Sequence, residues 1–244
     1  GLDIGTEKIS HEEMRGVPHH LIDIREPNET YSAGDFVTDA TRLIEEISMR
    51  GKLPILVGGT HYYFDALLNG IPFVPENATL RAELEPLSTG ELYARVAQRD
   101  PRRAAELEPK NRRGLGRALE IITALGSVPE RILLSPPTGK DNNIRNSYKV
   151  KWIVIDPPRE ELRARIDSRL KTALERGLVD EVRRAREAVG DTRLNELGLE
   201  YKIVGEFLRD ERTEASLLPT LSAKLWQYAR RQKAWLRKLG HPMS

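Results

Sequence analysis

The chain alternates stretches of helical periodicity with two short, wholly apolar runs. Residues 36–50 repeat Phe36, Ala40, Leu43, Ile44 and Ile47 at helical spacing, and Gly51 follows as a stop. LPILVGG, residues 53–59, reads as a buried parallel strand running into a tight turn. THYYFDALLNG then predicts a helix ended by Gly70. Residues 72–87, rich in Pro, Glu and Asn, read as a linker. Residues 91–109 read as two short polar helices with narrow apolar stripes, 114–126 as a stronger helix and 135–143 as a loop. VKWIVIDPP, residues 150–158, is the second apolar run and reads as another buried strand, closed by a double proline. Residues 159–188 predict one long charged helix or a pair broken near Gly177, followed by helices over about 196–209 and 214–238. Alternating strands and helices predict an α/β fold with a parallel sheet flanked by helices. The strands at 53–58 and 150–156 are expected to lie close together in that sheet. Residues 77–112 are expected to form a small helical insertion between core segments 1–76 and 113–244.

Composition narrows the class. The chain has 244 residues, 39% of them hydrophobic, enough for one large domain or a domain with an insertion. No apolar run approaches the roughly 20 residues of a membrane-spanning helix. Cysteine is absent, which removes disulfides, thiolate metal sites and cysteine nucleophiles. No secretory signal is visible, so the expected location is the cytoplasm, although the first residue is Gly1 and not Met. The net charge is only +2, but Lys224, Arg230, Arg231, Lys233, Arg237 and Lys238 follow one another with no acid between them. Such a segment suits a polyanion such as RNA, or is simply a solvated helix face.

Three short motifs carry candidate chemistry. In GGTHYY, Gly58 and Gly59 let a ligand approach the backbone, and the Thr60 hydroxyl with helix-start amides suits a phosphate. No Lys follows the glycines, so this is not a Walker A loop, and a plain strand-to-helix turn is the simpler reading. PHHLID places His19 and His20 beside Asp23. Adjacent strand side chains point to opposite faces, which disfavours metal binding, and no metal ligand is assigned. Arg165 and Arg169 lie four residues apart on one helical face, where two guanidiniums can hold a pyrophosphate. Salt bridges to Glu161 or Asp167 are the competing reading.

Taken in order, GLDIGTEKIS, GVPHHLID, GKLPILVGGTHYY, DPRRAAELEPKNRRGLGRALEI, RIDSRLKTALERGLVDEV and YARRQKAWLRK resemble the tRNA dimethylallyltransferase family over nearly the whole chain. The resemblance implies a P-loop-NTPase-like α/β core with an inserted helical module facing tRNA. It implies transfer of a dimethylallyl group from dimethylallyl diphosphate to the N6 amine of the adenosine 3′ to the anticodon, assisted by Mg2+. Arg169 matches the family's diphosphate-contacting arginine, and Thr60 the threonine of the turn beside the channel. Gly58, Gly59 and Arg165 are the accompanying donor-site candidates. Arg113 and Arg117 fall in the family's RNA-contacting stretch, Tyr201 and Lys202 in a later segment with Glu200 where glycine is usual, and Arg230 and Arg231 in the basic tail. The implied partners are the tRNA anticodon stem-loop and dimethylallyl diphosphate, with no membrane and a monomeric enzyme. The family's phosphate-binding loop and general-base aspartate lie before the position of Gly1, so the 244 residues alone are expected to be impaired. The alternatives are an inactive RNA-binding fragment of such an enzyme and a P-loop-fold small-molecule kinase.

Overall fold

The computed structural model describes residues 1–70, 74–129 and 148–238. Ten α-helices are described: α1 Ala33–Met49, α2 His61–Asn69, α3 Ala78–Leu84, α4 Thr89–Arg99, α5 Pro101–Glu106, α6 Arg112–Leu125, α7 Arg159–Glu175, α8 Leu178–Leu197, α9 Leu199–Leu208 and α10 Leu217–Lys238. A 3-10 turn, Glu214–Ser216, leads into α10.

The helix starts are written locally. Ser32 opens α1 with a reciprocal capping box to Asp35, and Ser88 opens α4 in the same way with Glu91. Asp100 caps α5, where Pro101 takes the first helical position, and Asn111 caps α6. The break expected near Gly177 is there: Gly177 has φ +95°, which separates α7 from α8. The segment 72–87, read as a linker, contains α3, capped by the Asn77 side chain on the Leu80 N–H. The loop expected at 135–143 lies outside the described residues.

The expected parallel sheet is not present among the described residues, which contain no strand. Neither apolar run, 53–58 or 150–156, enters a hydrogen-bonded ladder. A strand is defined by its partner, and an apolar pattern alone does not supply one. Both runs are also solvated: Leu53 is 81% exposed, Ile55 76%, Val57 90%, Ile153 79% and Ile155 82%. PHHLID likewise lacks strand geometry, with φ +61° at Leu21 and +54° at Asp23.

The chain divides into two compact units, 1–64 with 149–244, and 65–148. The core of the first is built from Ile166 and Leu170 of α7, Val182 and Leu194 of α8, Tyr201 and Val204 of α9, and Leu221 of α10. The second packs Leu84, Leu92, Val96 and Ala104 against Leu115, Leu119 and Ile122 of α6. Among the described residues no helix is long and apolar enough to cross a membrane.

Candidate functional site

The first unit gathers its candidate residues around α7, α9 and α10. Arg169 projects from α7 and is partly exposed. Its Nε lies 2.8 Å from Glu7 Oε1, and its Nη2 lies 3.8 Å from Glu200 at the start of α9. Burial pushes the Glu200 carboxyl above the ordinary glutamate range, against the opposing pull of Arg169. Glu200, which stands where the family resemblance expects glycine, thus turns toward Arg169. Arg165, one turn earlier, is bound to Glu161 at 2.5 Å, so the salt-bridge reading holds for it. Asp167 is engaged elsewhere and accepts the Ser222 hydroxyl at 2.5 Å.

The segment that carries Glu7 is anchored from beneath. Glu181 of α8 is buried, and its carboxylate accepts the N–H groups of Asp3 (2.8 Å), Ile4 (2.8 Å) and Gly5 (2.9 Å). The Tyr201 hydroxyl donates to the same carboxylate at 2.7 Å. Burial alone would raise the Glu181 pKa, but these donors together hold it below the ordinary glutamate range. Gly5 has no room for a side chain, because a Cβ there would sit 2.7 Å from the Tyr201 ring. Tyr201, expected at the RNA surface, is only 1% exposed and belongs to the core.

Gly58, Gly59 and Thr60 form the turn that enters α2. The Gly59 carbonyl accepts the His61 N–H at 3.1 Å and the Gln232 side-chain amide at 2.9 Å. Neighbouring α10 residues hold the other apolar run: Lys233 pairs with Asp156 at 2.5 Å, and Arg159 lies over the Trp226 ring at 5.5 Å. Sequence reading missed Gln232, since nothing local marks it as a partner of the turn. No hydrogen bond or ion pair joins Thr60 to Arg169 among the described residues.

In the second unit Arg117 is committed internally. It binds Glu120 at 2.8 Å and donates to the Val74 carbonyl at 2.6 Å. Arg81 reaches the other side of Glu120 at 2.6 Å. Burial would raise the Glu120 pKa, yet the two guanidiniums and the Asn77 N–H lower it. The i,i+3 spacing of Arg117 and Glu120 was a readable signal of this pairing. The Arg113 side chain is exposed and makes no hydrogen bond or ion pair among the described residues, as is true of the Lys202, Arg230 and Arg231 side chains in the first unit.

A family model described as IPP transferase matches residues 1–239. A tRNA dimethylallyltransferase of Thermomicrobium roseum is 40% identical over 98% of this chain and 72% of its own length. Its counterpart in Anoxybacillus flavithermus is 38% identical over 97% of this chain and 75% of its own. Among solved structures, a tRNA isopentenylpyrophosphate transferase from Bacillus halodurans is similar with a TM-score of 0.66 and 34% identity, over 97% of this chain and 74% of that one. A eukaryotic dimethylallyltransferase acting on tRNA is similar with a TM-score of 0.73 and 27% identity, over 97% of this chain and 60% of that one. The relatives and the structural neighbours are alike tRNA-prenylating proteins. The chain belongs to the IPP transferase family, and the kinase alternative falls with that assignment.

Proposed function

We propose that the chain transfers the dimethylallyl group of dimethylallyl diphosphate to the N6 amine of the adenosine 3′ to the anticodon of tRNA, in the cytoplasm. The observation that carries this reading is Arg169, a partly exposed guanidinium held at the meeting of the N-terminal segment, α7 and α9. As the carbon–oxygen bond to the donor breaks, negative charge grows on the departing diphosphate. Glu7 holds the guanidinium by its Nε, and the Nη N–H groups remain as charged donors for the diphosphate. Arg165 supplies a second cation one turn away once its exposed pair with Glu161 opens. Thr60 and the two glycines before it form the turn assigned to the donor side of the channel. Arg113, Lys202, Arg230 and Arg231 are available for RNA phosphates, whereas Arg117 is engaged by Glu120 and the Val74 carbonyl, and Tyr201 lies in the core.

The family resemblance brings Mg2+ with it. Among the described residues no group of three or more His, Asp or Glu side chains could hold a metal ion.

The test is single-turnover prenyl transfer to an anticodon stem-loop, with RNA binding measured in parallel. Arg169→Ala should lower the rate about 100- to 1000-fold, the usual effect of losing one charge-stabilising donor. Arg169→Lys should fall between wild type and alanine, because it keeps the charge and loses the fork. RNA affinity should stay unchanged. Full activity in Arg169→Ala overturns the assignment, and so does a loss that traces wholly to RNA binding.

A further inference from the structure

We infer that Gln232 is a positioning residue for the Gly58–Gly59–Thr60 turn, tying the donor-site turn to the basic helix α10. The inference rests on the proposed prenyl transfer. One contact, seen from both of its sides, carries it. The Gln232 amide donates to the Gly59 carbonyl at 2.9 Å across 173 residues of sequence. A Cβ added to Gly59 would stand 2.1 Å from the same amide nitrogen. Gly59 does not have a positive φ. The room that a Cβ would take is filled by the amide end of the Gln232 side chain.

The Gly59 carbonyl has two lone pairs, and both are used: one accepts the His61 N–H, which starts α2, and the other accepts Gln232. The peptide between Gly59 and Thr60 is thereby fixed at both the helix and α10, and with it the direction of the Thr60 N–H and side chain. Arg230 and Arg231 immediately precede Gln232 on the same helix.

The experiment uses the whole 244-residue chain with Gln232→Ala, Gln232→Glu, Gly59→Ala and the Gly59→Ala/Gln232→Ala pair, each checked for folding by its thermal transition. Glutamate is the sharp variant, since it keeps the length but its carboxylate cannot donate to a carbonyl. Amide hydrogen exchange across residues 59–63 should quicken in all four. Affinity for dimethylallyl diphosphate, measured by calorimetry, should fall about 3- to 10-fold, the factor that one net hydrogen bond supplies. The Gly59→Ala/Gln232→Ala pair should be no weaker than either single variant, because both singles break the same contact. Additive losses would overturn the inference. Unchanged donor affinity alongside faster exchange would also overturn it, by leaving Gln232 a structural tie only. A wild-type chain that binds no diphosphate would overturn the proposed donor site and this inference together, whereas wild-type binding with unchanged variants would overturn the inference alone.

Discussion

Glu181 sets the geometry of the N-terminal segment without a counter-cation among its hydrogen-bond partners. Its carboxylate is satisfied by three consecutive backbone N–H groups and a buried tyrosine hydroxyl. Because these donors depress its folded pKa, Glu181 contributes stability that is complete above the unfolded-state value and is lost as pH falls through the lower folded value. Glu181→Gln turns one acceptor into a donor and should cost about 1–3 kcal/mol at neutral pH. The gap between wild type and variant should narrow as the solution is acidified below the glutamate range, when the wild-type side chain becomes neutral too. Parallel thermal-midpoint curves across pH 3–7 for the two proteins would show that Glu181 is not ionised in the fold. The consequence reaches Arg169, since the Glu7 that holds it rides on the same segment.

At the scale of the element, helices were legible and strands were not. A helix satisfies its own backbone, so capping residues and apolar periodicity suffice to write it. The stretch after Ser32, the pair of helices around Asp100 and the break at Gly177 all follow from local chemistry. A strand needs a second segment elsewhere, and LPILVGG says nothing about whether one is present. The short helix α3 was hidden by the prolines and asparagine that flank it, although Asn77 is itself the cap. The candidate site divides in the same way. Arg169 and the glycine turn were visible as motifs, whereas the inward commitment of Arg117 and Tyr201 depended on contacts with Glu120 and Glu181. Gly177 offers a quantitative check. A Cβ there has space, its nearest neighbour being Asp180 Oδ2 at 3.9 Å, so the cost of Gly177→Ala is conformational. It should destabilise the chain by about 1–2 kcal/mol, the left-handed penalty for an L-residue. Urea unfolding should show a lower midpoint with an unchanged slope, and an unaltered midpoint would refute the local account of the break.

For the molecule as a whole, each unit has its own apolar core, yet part of the first unit's apolar inventory stays in water. The two solvated runs carry β-branched and leucine side chains with no charge among Leu53, Pro54, Ile55, Leu56 and Val57. Pro54 interrupts the first run, so residues 153–155 are the better template for intermolecular strand pairing. A solution of the 244-residue chain is thus a sticky one. Light scattering should rise with protein concentration, and an apolar dye should fluoresce on the native protein before any heating. Ile153→Lys with Ile155→Lys should suppress both signals while leaving the thermal transition in place, because these side chains are already exposed and support no core. Scattering that ignores these lysines would assign the adhesion to another surface. The same two runs that promised a hidden sheet would then decide how concentrated this protein can be kept, how fast it must be handled and which buffers keep it in solution.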